Sequence, residues 1–162
     1  MDVVIFIGSE SDHEVVKDAL HILEGFGVSH RLEVTSAHRS PERTRALIAE
    51  SEKRGAKVFI AVAGKAAHLA GFVAGKTSAP VIGVPVESAG LGGLDALLST
   101  VQMPKGVPVA TMGLGKTGAS NAAILAVQIL SLKNPRLKKK LEEHKKAMAA
   151  QVESASKKIQ KP

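Results

Sequence analysis

The chain contains no cysteine, tyrosine or tryptophan and only four phenylalanines. Without cysteine it can form no disulfide, no thiolate nucleophile and no cysteine-ligated zinc site. The scarcity of aromatic residues means that the core must be built from valine, isoleucine, leucine and alanine. This composition is typical of a buried parallel sheet covered by alanine-rich helices.

The sequence also lacks any apolar run approaching the roughly 20 residues that span a bilayer. The N-terminus has no basic stretch, apolar region or cleavage site of a secretory signal. We therefore expect a cytoplasmic protein with no membrane partner.

A formal net charge of +7 raises the question of nucleic-acid binding, but its position argues against it. Residues 1–132 contain 12 Lys or Arg and 12 Asp or Glu, whereas residues 133–162 contain 10 Lys or Arg and three Glu. A basic segment can bind phosphate backbones, but a run of charge is more often a solvated helix face. Because the aromatic side chains on which bases stack are missing too, we expect no nucleic-acid partner.

Short apolar runs alternate with segments of helical periodicity along residues 1–132. The runs predict strands over residues 3–7, 31–35, 58–62, 81–84 and 107–111. The remaining segments predict helices over about 12–26, 41–54, 94–101 and 119–132, a Gly/Ala segment over 63–75, a loop over 89–93 and a glycine-rich turn over 113–118. This alternation is typical of an α/β fold, with helices on both faces of a parallel sheet.

Residues 133–162 differ from this first segment and form a predicted basic helix after Asn134-Pro135. Apolar residues recur in it at spacings of 4, 7, 4 and 7, namely Leu137, Leu141, Met148, Val152 and Ile159. So narrow a stripe is typical of helices that pair with other helices. The helix is expected to pack on its own domain or on a neighbouring subunit, and the charge on its other faces favours the neighbour.

Two polar segments follow the first and second predicted strands. Gly8-Ser9-Glu10-Ser11-Asp12 offers a turn glycine, hydroxyls and a carboxylate, and Ser36-Ala37-His38-Arg39-Ser40-Pro41 adds an imidazole and a guanidinium. Either segment could serve only as a helix N-cap. A cap needs neither His38 nor Arg39, however, since histidine exchanges protons near neutral pH and arginine binds phosphate in a two-pronged fashion. Both segments are expected at the carboxyl edge of the sheet, where ligands bind.

A third segment, Ala66-Ala67-His68-Leu69, lies in a stretch of small residues that lets the backbone approach a ligand closely. His68 is either a ligand contact or a partly buried packing residue. The Gly-Lys-Thr sequences at 75–77 and 115–117 are not phosphate-binding loops, because alanine replaces the earlier glycine that such a loop requires. No histidines show paired ligand spacing, so we expect no metal site.

Taken in order, these segments resemble the three site segments of bacterial and archaeal phosphoribosylaminoimidazole carboxylase catalytic subunits, also called N5-carboxyaminoimidazole ribonucleotide mutases. Further matches lie at residues 80–86, 93–99, 101–104 and 121–123. The resemblance covers residues 2–132 and implies a three-layer α/β/α fold of flavodoxin-like type with about five strands. It also implies a homo-octamer, in which the C-terminal helix reaches neighbouring subunits, and a reaction without a metal or organic cofactor.

The activity implied by the resemblance is a step of purine synthesis. It moves a carboxylate from N5 to C4 of an aminoimidazole ribonucleotide, with CO2 as an intermediate. The resemblance makes His38 the catalytic proton shuttle. It assigns the 5′-phosphate and neighbouring polar groups to Ser9, Ser11 and Arg39, the ribose hydroxyls to Asp12, and a small pocket for CO2 and the base to Gly64, Ala66, Ala67 and His68. The expected substrate-binding set is completed by Ser36, Ala37, Lys65 and Leu69.

The chain departs from the usual mutase pattern at several positions. Mutases usually carry glycine at the positions of Val62 and Lys65, proline at that of Ala70 and methionine at that of Phe72. A second class of the family carboxylates aminoimidazole ribonucleotide with free CO2 and carries arginine at the Lys65 position. A mutase is favoured, a CO2-dependent carboxylase stays open as the alternative, and a non-catalytic nucleotide-binding module is the third hypothesis.

Overall fold

Five parallel strands form one sheet in the computed structural model, which describes residues 1–88 and 90–160. The strands are β1 (Val3–Ile7), β2 (His30–Val34), β3 (Val58–Gly64), β4 (Val81–Val86) and β5 (Ala110–Thr111). Their order in the sheet is β2-β1-β3-β4-β5, and every registered pair is parallel. This order is that of flavodoxin-like folds, with its switch point between β1 and β3. The predicted α/β fold is confirmed.

The helices lie on both faces of the sheet, as expected of three layers. They are α1 (His13–Phe26), α2 (Pro41–Lys53), α3 (Leu69–Ala74), α4 (Leu94–Val101), α5 (Gly115–Ser131) and α6 (Pro135–Ile159), with one 3₁₀ turn at Glu10–Asp12 before α1. Alternate residues of β1 belong to two core clusters. One cluster contains side chains of α1 and α5, and the other contains side chains of α2 and α3.

The core has the predicted aliphatic composition. Every residue of β1 is buried, and so are the first five residues of β3, as continuous apolar runs in a central parallel strand require. The aromatic part of the core consists of Phe6 and Phe59, whose ring centroids are 5.8 Å apart, and Phe26 in the other cluster. None of the described helices combines the length and apolar character needed to cross a membrane.

The boundaries of several elements differ from those predicted. Strand β5 is limited to Ala110–Thr111, because Pro108 lacks the donor that a longer pairing with β4 needs. Strand β4 continues through Pro85, which is tolerated because β5 pairs with β4 only at Ile82 and Gly83.

Two of the helix predictions also needed correction. The Gly/Ala segment over 63–75 contains the short helix α3, whose Leu69, Ala70 and Val73 are buried. Its small residues carry no clear periodicity, so packing on the sheet decides its conformation. Helix α5 begins at Gly115, inside the predicted glycine-rich turn. Of the loop predicted over 89–93, residue 89 lies outside the described residues, and residues 90–93 form a turn.

Helix α6 packs on its own domain through its first turns alone. Leu137 and Leu141 are each 8 % exposed and belong to the cluster formed with α1 and α5. The Lys140 ammonium donates to the Phe26 carbonyl oxygen at 2.9 Å, which suits a cation at the carboxyl end of α1. Met148, Val152 and Ile159 are 45, 71 and 85 % exposed. Residues 161–162, at the end of the predicted basic segment, lie outside the described residues.

Two glycines inside helices have opposite surroundings. A Cβ atom on Gly118 of α5 would lie well inside van der Waals distance of the Gly113 carbonyl oxygen, and 3.4 Å from Val84 Cγ1. A Cβ atom on Gly25 of α1 would have nothing within 4 Å. Substituting alanine for glycine at each of the two positions therefore distinguishes the effect of close packing on stability from the effect of backbone entropy.

We expect Gly118→Ala to lower the free energy of unfolding by about 2–3 kcal/mol, because the turn at Gly113 must shift to admit a methyl group. Gly25→Ala should raise it by roughly 0.5–1 kcal/mol, because alanine loses less backbone entropy on folding. Urea denaturation of both variants measures this difference. Similar changes of the free energy of unfolding in the two variants would contradict the close approach of the Gly113 carbonyl oxygen to Gly118.

Candidate active site

A cleft of about 570 Å³ opens at the carboxyl ends of β1, β2, β3 and β4. It lies at the switch point of the sheet, where open α/β folds bind their ligands. The loops after four strands contribute its walls, which consist of Gly8, Ser9, Ser11, Asp12, Ser36, Ala37, His38, Arg39, Ala63, Gly64, Lys65, Ala66, His68, Leu69, Val86, Glu87 and Ser88.

The loop after β1 is ordered by the carboxylate of Asp12. The Ser9 backbone N–H donates to Asp12 Oδ2 at 3.0 Å, and the Ser11 hydroxyl donates to the Ser9 hydroxyl at 3.0 Å. Burial raises the pKa of Asp12, and the hydrogen bond from the Ser9 N–H opposes that rise. Asp12 occupies the N-cap position of α1 but makes no side-chain cap hydrogen bond. Its carboxylate thus folds the loop rather than capping the helix.

The loop after β2 is held by two serine side chains. The Arg39 backbone N–H donates to Ser36 Oγ at 3.1 Å, and the Ser36 N–H donates to Ser40 Oγ at 3.1 Å. Ser40 is the N-cap residue of α2, yet its hydroxyl turns back into the loop. The Arg39 guanidinium donates from Nη2 to the Gly8 carbonyl oxygen at 2.9 Å. This last bond joins the two loops across the cleft and leaves other guanidinium N–H groups for a ligand.

The rings of His38 and His68 meet in the wall of the cleft. His38 Nε2 lies 2.8 Å from His68 Nδ1, and the rings are nearly perpendicular, with centroids 4.9 Å apart. His38 follows β2 and His68 follows β3, so the pair reaches across the end of β1. Both residues are exposed. Of the two alternatives for His68, the partly buried packing residue does not agree with this exposure.

A second cavity of about 560 Å³ lies beyond the histidine pair. Helices α3 and α4 and the residues next to them form one side of it, and the full lining comprises Ala37, His38, His68, Gly71, Phe72, Leu98, Ser99, Gln102 and Met103. His38 and His68 thus line two cavities at once.

Lys65 has an unusual backbone conformation in the cleft wall. Its φ of 57° is the only positive φ among the described non-glycine residues, and left-handed φ is rare for residues with a side chain. Next to it, a Cβ atom on Gly64 would lie 3.0 Å from the Val86 carbonyl oxygen. The chain here is pressed against β4, which explains the glycine at position 64 but not the lysine at position 65.

The structure brings nearly all of the predicted site residues to this cleft. The exception is Ala67, which is 2 % exposed and lies beneath the surface. The cleft also contains residues outside the predicted site set, namely Gly8, Ala63, Val86, Glu87 and Ser88. Gly8 and Ala63 belong to segments that the sequence had marked. Glu87 and Ser88, which follow β4, belong to no local motif. Only the position of β4 beside β3 in the sheet could have indicated that they line the cleft. The part of the chain that the structure describes contains no group of three histidine or carboxylate side chains placed to hold a metal ion.

Comparisons with known proteins agree with this geometry. A sequence model of the AIR carboxylase family matches residues 2–151. A curated N5-carboxyaminoimidazole ribonucleotide mutase from Pyrococcus horikoshii is 49% identical over 156 residues, covering 96% of this chain and 87% of that protein. Proteins of the same name from Saccharolobus solfataricus and Escherichia coli K12 are 50% and 47% identical, each over 93% of this chain, and over 94% and 89% of their own lengths.

A crystal structure of PurE from Treponema denticola superposes with a TM-score of 0.88 at 27% identity, covering 98% of both chains. The similarity therefore extends over the whole fold and includes the segments that carry His38, Arg39 and His68. The chain belongs to the AIR carboxylase family.

Proposed function

We propose that this protein is an N5-carboxyaminoimidazole ribonucleotide mutase, an isomerase of purine biosynthesis. The observation that carries the proposal is the convergence of three loops on one cleft, in a chain about half identical to curated mutases. These loops hold the Ser9–Asp12 group, the His38–Arg39 pair and the small residues before His68.

The loops after β1 and β2 offer groups that fit a ribose phosphate. Arg39 and the hydroxyls of Ser9 and Ser11 supply donors for the 5′-phosphate, and Arg39 can bind it bidentately. Asp12 offers a carboxylate to the ribose hydroxyls. Because Asp12 and Arg39 also order their own loops, the phosphate and ribose groups meet donors and acceptors that are already in place.

The loop after β3 fits the reacting part of the substrate. Gly64 and Ala66 leave room for the base and for CO2, and Ala67 closes the floor beneath them. When the N5 carboxylate leaves as CO2, N5 gains a proton; when C4 attacks CO2, C4 loses one. His38 supplies the first proton and accepts the second, so no net proton enters or leaves. Ser36, Ala37 and Leu69 complete the wall and exclude water, which would otherwise carry CO2 away.

The mutase assignment predicts turnover of N5-carboxyaminoimidazole ribonucleotide in the absence of bicarbonate. His38→Asn should lower kcat by about 10²–10⁴-fold, because the proton shuttle is lost, with a much smaller change in KM. His21→Asn, on the exposed surface of α1, serves as the matched control and should keep wild-type kcat. A wild-type protein inactive on this substrate, or an active His38→Asn variant, would refute the assignment.

A second candidate function is carboxylation of aminoimidazole ribonucleotide by free CO2, and Lys65 favours it. This lysine places a cation in the cleft wall beside the small residues that would receive CO2. Its left-handed backbone costs roughly 1 kcal/mol relative to glycine, and such strain is often retained at functional sites. The lysine ammonium could stabilise a carboxylate or bicarbonate there.

Comparison of Lys65→Gly with Lys65→Ala separates the charge of Lys65 from its backbone strain. Both variants lose the charge, but only glycine relieves the strain, so Lys65→Gly should be about 1 kcal/mol more stable than Lys65→Ala. If Lys65 supports carboxylation, the rate of the bicarbonate-dependent reaction should fall about tenfold in both variants, while mutase turnover stays unchanged. The reason is that one charge-assisted hydrogen bond contributes roughly 1.5–3 kcal/mol. Wild-type activity of both kinds in both variants would make Lys65 a bystander.

The proposal includes a homo-oligomer, with an octamer as the expected state. Met148, Val152 and Ile159 continue the stripe of Leu137 and Leu141 past the end of the domain, where they remain exposed. A stripe of this kind needs a partner helix or surface to bury it. The proposal also places the enzyme in the cytoplasm and involves neither nucleic acid nor a membrane.

A single charged substitution tests whether subunits assemble through the apolar stripe on α6. Val152→Asp should shift the molar mass measured by light scattering toward smaller species, because a carboxylate would have to be buried at the contact. Ala150→Asp adds the same charge on the opposite, exposed side of α6 and should leave the mass unchanged. A wild-type monomer, or equal effects of the two substitutions, would argue against assembly through this stripe.

A further inference from the structure

We propose that His68 is a positioning residue, which holds His38 through the hydrogen bond between His38 Nε2 and His68 Nδ1 and leaves His38 Nδ1 as the atom that exchanges protons with the substrate. This inference rests on the proposed function and deepens it, since it selects the working nitrogen of the proton shuttle. It also gives His68 a role that requires no contact with the substrate.

The direction of the hydrogen bond follows from the chemistry of a shuttle. A general acid and base must cycle between a neutral and a positively charged ring, and the charged ring carries a proton on both nitrogens. If His38 Nε2 is the donor, the bond at 2.8 Å persists in both states. If His68 were the donor, protonating His38 would place two protons between the same two nitrogens. The bond would then break in every catalytic cycle.

The donor role of His38 also keeps the bond to His68 intact when His38 carries a proton on both nitrogens. A positively charged His38 donates to the lone pair of His68 Nδ1 in a charge-assisted hydrogen bond. With this direction of the bond, His68 accepts at Nδ1 and carries its own proton on Nε2, which has no hydrogen-bond partner among the described residues.

The backbones of both residues are fixed before any ligand binds. His38 lies in the turn held by Ser36 and Ser40. His68 is the N-cap residue of α3, and its carbonyl oxygen accepts from the Phe72 N–H at 2.9 Å. Helix α3 in turn is anchored in the core by Leu69, Ala70 and Val73. An imidazole on so rigid a support can orient a second imidazole, as partners of catalytic histidines commonly do.

Other charged groups of the cleft do not replace this contact. Asp12, Arg39, Lys65 and Glu87 line the same cavity, but none of them is hydrogen-bonded to either ring within the described residues. The orientation of His38 therefore depends on the one bond to His68.

Kinetics of two variants at position 68 test the positioning role. Asparagine places its Oδ1 where the histidine has Nδ1 and can still accept from His38, whereas leucine fills similar space without an acceptor. We expect His68→Leu to lower kcat by about 10–100-fold with little change in KM, and His68→Asn to restore most of the loss. Wild-type kcat in His68→Leu would overturn the proposal. So would equal losses in both variants, which would point to a direct action of His68 on the substrate.

A second measurement needs no turnover and therefore separates this inference from the proposed function. In protein labelled with ¹⁵N-histidine, a scalar coupling across the hydrogen bond should join His38 Nε2 to His68 Nδ1, with the proton on His38. His38→Asn and His68→Asn assign the two signals by their loss. A missing coupling, or a proton on His68 Nδ1, would refute the proposal even if the wild-type enzyme is an active mutase. Conversely, if the expected coupling is observed but the protein is inactive on the substrate, only the proposed function is refuted.

Discussion

The burial of β1 and β3 on both faces is the constraint on which the rest of this structure depends. Every side chain of β1 is inaccessible to solvent, and its neighbours in the sheet are β2 and β3. Polar groups cannot enter such strands without an unpaired donor or acceptor in the core. The chemistry of the chain is thereby confined to the loops that follow the strands, and the parallel direction brings those loops to one edge.

The loops differ in how they are stabilised, and this difference suits their proposed tasks. The loops after β1 and β2 form their own hydrogen bonds and are linked by Arg39. The segment after β3 has fewer polar side chains and is shaped by close backbone packing at Gly64. The proposed function thus assigns polar recognition and a small pocket for CO2 to neighbouring loops of one sheet.

Local sequence patterns predicted the strands and helices whose own residues carry a clear signal, either a continuous apolar run or a helical periodicity. The boundaries of β1 and α4 agree with the structure, because a continuous apolar run and an amphipathic helix each carry their own signal. Helix α3 was missed, since its six residues are held by contacts with the sheet. Most residues that line the cleft had been indicated because they cluster in three short segments. The contact between His38 and His68 was not predictable, because it depends on the strand order, which places β2 and β3 on either side of β1.

The central position of β1 has a consequence for how the chain assembles during synthesis. In the chain, β1 precedes the two strands that pair with it, and both partners are complete by Gly64. A three-stranded unit can therefore begin to form before the segment that carries β4, β5 and α5 has left the ribosome. On one face of that unit, Val3, Ile5 and Ile7 are covered by α1 alone until α5 appears, after residue 114. Until then part of this apolar face lacks its second helix, and transiently exposed apolar surface of this kind favours aggregation over folding.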